Sequence, residues 1–81
     1  MRLENAFGQV LRTHRERMKI SQEGLALACG LDRTFMSALE RGVRQPSLKS
    51  IFKIARVLDV PPSQLVAEVE LLVTQCDDST P

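Results

Sequence analysis

Three features of this 81-residue chain predict an all-α fold, a compact bundle of five helices. Apolar residues recur at three- and four-residue spacings in five stretches, the period of a helix with one buried face. No stretch alternates apolar and polar residues as a half-buried strand would. Residues that start or stop helices also separate the stretches: Ser21, Gly30, Asp32, Gly42, Ser47 and the Pro61-Pro62 pair.

The first helix runs from about Leu3 to Met18, with Phe7, Val10, Leu11 and Met18 on one face. Ser21 is a good N-cap for the second, which ends at Gly30, a residue at ease in the left-handed region. Asp32 caps the third, which continues to Arg41 and stops at Gly42. Pro46-Ser47 opens the fourth, with Leu48, Ile51, Ile54, Ala55 and Leu58 as its apolar stripe. The fifth begins near Pro62, where a missing N–H does no harm, and Val60 and Leu65 are spaced to staple that start. Leu65, Val69, Leu72 and Val73 continue its apolar face, so residues 1–73 read as one domain and 74–81 as a flexible tail. All five helices are near or below the roughly 12–15 residues at which an isolated helix is marginal, so mutual packing must hold them.

Composition narrows the function. Aromatic residues are limited to three Phe, too few to stack single-stranded bases on aromatic platforms. The apolar runs are too short to cross a bilayer and no secretion signal opens the chain, so the expected location is the cytoplasm. Cys29 falls on an apolar face and Cys76 in the polar tail, without metal or redox spacing. His14 lies between apolar positions of the first helix, without a partner at metal spacing, and reads as a half-buried or surface filler. No Ser/His/Asp set, carboxylate pair or phosphate loop is present, so neither an enzyme nor a cofactor site is expected, nor a small-molecule ligand. Net charge is only +1, but its distribution is uneven. Residues 1–56 carry all eleven Lys and Arg against five acids, a surplus of +6, and residues 57–81 carry five acids and no base. A basic body with an acidic end suits a polyanionic partner for the body; accidental asymmetry of a solvated surface is the plainer alternative.

The stretch "SQEGLALACGLDRTFMSALERG", Ser21 to Gly42, sets two short helices almost end to end. Ala26 is small where crossing helices nearly touch, and Gly30 permits the sharp turn. Leu25, Cys29, Met36 and Leu39 then face inward at helical spacing. With Met36 and Leu39 inward, Thr34, Ser37, Ala38 and Arg41 face outward and Arg33 projects from the first turn. That outer face is small, polar and basic, which suits a DNA major groove and suits a dry core poorly.

On Gln22, Leu25, Ala26, Gly30, Met36, Leu39, Glu40 and Gly42, followed by "PSLKSIFKIARVLDVPPSQL", the chain resembles the helix-turn-helix domain of phage Cro and repressor proteins and their bacterial relatives. The resemblance covers about Phe7 to Leu65 and implies the lambda-repressor-like fold. The run "GLDRTFMSALERG" and the short length resemble most the controller proteins of restriction–modification operons.

The resemblance implies roles for particular residues. Gln22 matches a position that binds a phosphate and buttresses the reading helix. Arg33 and Thr34 match base-contacting positions: an arginine can bond bidentately to guanine O6 and N7, and a threonine offers a methyl to thymine or a hydroxyl to phosphate. Ser37 and Ala38 lie one turn further along, where Ala38 replaces the family's usual longer polar side chain and limits contact there to apolar groups. Arg41, Arg44, Gln45 and Lys49 match a phosphate clamp, although each alone also reads as an ordinary surface group. Arg15 and Glu40 match a partly buried ion pair tying helix one to helix three. Phe35, on the flank of the reading helix, is assigned to packing against Ile20 or helix four. Two positions depart from the family: Gly24 stands where a good helix former is usual, at about 0.5–1 kcal/mol, and Pro61 replaces the usual Ser or Thr cap.

The function implied is a sequence-specific, double-stranded-DNA-binding transcriptional regulator acting as a homodimer on a pseudo-palindromic operator. Leu65, Val66, Val69 and Leu72 form the candidate dimer interface, with the alternative that they cover helices one and four. A second reading is an antitoxin-like module that binds a protein through its acidic end, with DNA binding auxiliary.

Overall fold

A computed structural model describes residues 1–76, which form α1 (Leu3–Arg17), α2 (Gln22–Cys29), α3 (Arg33–Glu40), α4 (Leu48–Leu58) and α5 (Pro62–Cys76). Side-chain oxygens start three of them. Ser21 Oγ accepts from the Gly24 amide at 2.9 Å, Asp32 Oδ1 from Thr34 at 3.3 Å and Ser47 Oγ from Ser50 at 3.1 Å, each satisfying an amide that the helix leaves without a partner. Gly30 ends α2 at φ +70°, as the sequence predicts. Gly42 follows α3 in the same region at φ +75°, again as the sequence predicts, whereas the left-handed residues after α1 and α4 are not glycines: Lys19 at φ +58° and Asp59 at φ +61°.

Every helix contributes to one core. Leu11, Leu25, Met36, Leu39, Ile54 and Leu65 are fully buried and come from all five elements. Burying each such side chain contributes on the order of 1.5–3 kcal/mol, which supplies what these short helices lack alone. α1 packs on α3 and α5, α2 on α3 and α4, and α4 on α5. The α1–α3 crossing is close because Gly8 has no side chain. A Cβ there would lie 2.6 Å from the Glu40 carbonyl oxygen and 2.7 Å from that of Leu39.

α1 and α5 are also joined by a polar contact that sequence reasoning missed. His14 is buried, and its Nε2 donates to Glu68 Oε1 at 2.8 Å, while Gln64 Nε2 donates to Glu68 Oε2 at 2.9 Å. Burial disfavours the Glu68 carboxylate, but the bonds from Gln64 and His14 outweigh it and hold the carboxyl below its ordinary value.

Three expectations are corrected. Met18 is 45% exposed, because α1 ends at Arg17 and the left-handed Lys19 turns the chain so that Ile20 packs against the core instead. Leu48, expected in the α4 stripe, is 70% exposed at the first helical position, outside the inward face set by Ile54, Ala55 and Leu58. Residues 74–76, expected in the tail, are helical. α5 runs through Thr74 and Gln75 to Cys76, and Thr74 Oγ1 bonds back to the Glu70 and Leu71 carbonyls at 2.9 and 3.1 Å. The rest of the expected tail, 77–81, lies outside the described residues.

Two measurements check this packing. Gly8→Ala should destabilise the protein by about 1–3 kcal/mol in urea unfolding, because both facing atoms are backbone and cannot rotate away. Glu68 stabilises the fold fully above its ordinary value of 4.5 and loses that contribution as pH falls through its lowered folded value. Between neutral pH and that acid range, Glu68→Gln should therefore lose less stability than the parent in urea midpoints.

Candidate nucleic-acid interface

The turn between α2 and α3 is built from backbone bonds. With Gly30 in the left-handed region, its amide donates to Leu27 O at 3.2 Å and the Leu31 amide to Ala26 O at 2.9 Å. This closes α2 and sends the chain into α3 at a fixed angle. Ala26 is buried at the crossing. Met36 and Leu39 then anchor α3 from within, both at 0% exposure, leaving Arg33, Thr34 and Arg41 exposed and Ser37 half-buried. Together with Gln22 from α2, these four residues line one shallow polar cleft. Arg41 Nε donates to Ser37 Oγ at 3.3 Å within it.

Beneath the cleft lies a charged network joining three helices. Arg15 grips the Glu40 carboxylate at both oxygens, Nε to Oε2 at 2.6 Å and Nη2 to Oε1 at 3.1 Å. Gln22 Nε2 donates to the same Oε1 at 3.0 Å, and Arg15 Nη1 to the Ile20 carbonyl at 2.8 Å. The Glu40 side chain is only 3% exposed and that of Arg15 13%. The hydrogen bond to Glu40 raises the Arg15 pKa despite burial, so its charge is locked in. One amide N–H of Gln22 is spent on Glu40, and the second remains available at the cleft.

The remaining predicted residues are distributed more widely. Arg44 is exposed in the loop after α3, where its amide and that of Val43 both donate to the Ala38 carbonyl, at 3.4 and 3.0 Å. Its guanidinium lies over the Phe35 ring, 5.4 Å from the centroid. Gln45 is exposed but turns away from the cleft, lining an apolar groove with Leu3, Phe7, Ile51 and Val66. Lys49 is exposed on α4 beside Phe52, Lys53 and Arg56. Among the described residues, Arg33, Arg41, Arg44 and Lys49 form no ion pair with a carboxylate, whereas Arg12 and Arg15 are paired with Glu16 and Glu40.

Two predicted placements are overturned. Ala38 does not face outward: it is 7% exposed, because the following loop folds back across that side of α3. In the candidate dimer set, Leu65 and Val69 belong to the core of the single chain, at 0% and 6% exposure, while Leu72 is half-buried and Val66 is 50% exposed. Counting apolar positions along α5 did not separate residues that cover α1 and α4 from residues left over. Cys29 is buried, which pushes its thiol pKa up despite nearby Lys53. Among the described residues no three His, Cys, Asp or Glu side chains converge as a metal site would require, and no helix is long and apolar enough to cross a membrane.

Glu40→Gln leaves the Arg15 charge buried without its counter-charge. It should lower stability by about 3 kcal/mol, read from chemical denaturation.

Residues 11–65 match the helix-turn-helix family. Control protein C.BamHI of Bacillus amyloliquefaciens is 46% identical over 61 residues, 74% of this chain and 75% of that protein. Control protein C.MunI of a Mycoplasma species is 38% identical over 79% of this chain and 88% of that one. The crystal structure of the restriction-modification controller protein C.AhdI from Aeromonas hydrophila superposes with a TM-score of 0.74 at 45% identity, covering 76% of this chain and 94% of that chain. These relatives are regulators and not enzymes. The site and the likeness agree: this chain belongs to the XRE-like helix-turn-helix family of transcriptional regulators, among the relatives of restriction-modification control proteins.

Proposed function

We propose that the protein binds double-stranded DNA sequence-specifically by laying the outer face of α3 in the major groove, and that it acts as a homodimer on a pseudo-palindromic operator. The observation that carries this reading is the cleft formed by Gln22, Arg33, Thr34, Ser37 and Arg41. It is polar, holds cations that are unpaired among the described residues, and is held from beneath by Glu40. Arg33 and Thr34, at the tip of the helix, read base edges, Ser37 contacts the groove one turn later, and Arg41, two turns along at the helix end, grips a phosphate. Gln22, Arg44 and Lys49 hold the phosphates and set the register, without Gln45, which lines the groove beside Leu3 and Val66. Ala38, buried, supports the face from within.

A reading helix of two turns spans only a few base pairs, so useful specificity requires two copies roughly 34 Å apart. Val66, with its neighbour Leu3 at 59% exposure, supplies the pairing surface, Leu65 and Val69 shape it from beneath, and half-buried Leu72 lies on the other flank of α5. Control of a restriction–modification operon follows by likeness to C.AhdI and the control proteins.

Arg33→Ala should cost about 1–3 kcal/mol of operator binding and relax one base position, measured by fluorescence anisotropy on operator variants. Arg44→Ala should weaken operator and scrambled duplexes alike and flatten the salt slope by about one unit. Equal binding of operator and scrambled DNA by Arg33→Ala and the parent would remove Arg33 from the reading face. Val66→Asp should shift the protein to monomer in sedimentation velocity, with loss of operator affinity and no loss of helix content.

A further inference from the structure

The sequence assigns Phe35 to packing alone, and part of its ring does pack against the core. The other part carries a charge. The Arg44 guanidinium rests over the ring at 5.4 Å from the centroid, within the range of a cation–π contact. The two residues belong to different elements. Phe35 directly follows Thr34 on α3, and Arg44 lies in the loop that returns toward α4. The loop is tied to α3 at the backbone, where the Val43 and Arg44 amides share the Ala38 carbonyl. Arg44 makes no ion pair among the described residues, and its side chain is oriented by the ring.

The geometry points to Phe35 as a positioning residue for DNA binding: its ring holds Arg44 at a fixed offset from Arg33 and Thr34. This inference rests on the DNA-binding reading above and adds a residue that touches no base. A free arginine loses rotamer freedom when it grips a phosphate, and one already resting on a ring loses less. Because the ring and the base-reading residues share α3, phosphate grip and base reading keep one register. An aliphatic side chain of similar bulk fills the same space but offers no negative π face to the guanidinium.

The test is a double-mutant cycle on a mixed-sequence DNA duplex at fixed salt, with the parent, Phe35→Leu, Arg44→Ala and the double variant, each checked for its thermal unfolding midpoint. Phe35→Leu should weaken binding by about two- to fivefold, Phe35→Tyr should match the parent, and the double variant should bind no more weakly than Arg44→Ala. If Phe35→Leu weakens binding as much in the Arg44→Ala background as in the parent, or strengthens it, the coupling is absent and the inference falls while the DNA-binding reading stands. If the parent binds no duplex at all, both fall. An NMR measurement on the parent without DNA needs no variant to fold. The Arg44 δ protons should be shifted upfield by the ring current, and resonances at ordinary positions overturn the inference.

Discussion

A single carboxylate, that of Glu40, orders the working half of this protein. At 3% exposure it requires partners for its charge and lone pairs, and it finds them on two other helices, Arg15 on α1 and Gln22 on α2. A buried ion pair of this kind contributes little net stability, since desolvation offsets most of the attraction, but it penalises every arrangement that separates the partners. The penalty falls on separating α3 from α1, and the Gln22 bond to the same carboxylate extends the constraint to the angle between α2 and α3. The backbone turn at Gly30 sets that angle from one end and the network sets it from the other. The outer face of α3 is thus in position before any ligand arrives, which reduces the ordering that binding would otherwise require.

Charge is allocated to match. Arg15, which serves the fold, is neutralised inside it, whereas the cations of α3 and the following loop are exposed and unpaired among the described residues. In an exposed pair each would gain little, and left free they add directly to the field felt by a polyanion. Acidic Glu68 is used in the interior seam between α1 and α5, where His14 and Gln64 bond both of its oxygens. The basic-to-acidic gradient along the sequence therefore corresponds to different jobs: exposed cations at the candidate interface and a structural carboxylate on α5.

Features set by local chemistry were legible in the sequence. Ser21, Asp32 and Ser47 cap helices as expected, Gly30 takes the left-handed turn, and Leu25, Cys29, Met36 and Leu39 are buried. Features set by what lies opposite a residue were not. Nothing in the sequence around Gly8 marks the α3 carbonyls that lie against it. His14 had no partner within its own helix because Glu68 is 54 residues away. Ala38 sits on the outer side of a helical wheel, but a wheel carries no information about a loop folding over it. For the same reason the apolar stripe of α5 could not be divided in advance between core and free surface. The Phe35–Arg44 contact leaves no signal in spacing at all.

Random-site selection with the purified protein tests the central claim most directly: that a preformed, cation-bearing face of α3 reads duplex DNA. Enrichment of a consensus whose two halves are related by two-fold symmetry, with centres about one helical turn apart, is the predicted result. A pool that remains random after successive rounds, from protein shown to be folded, would contradict it.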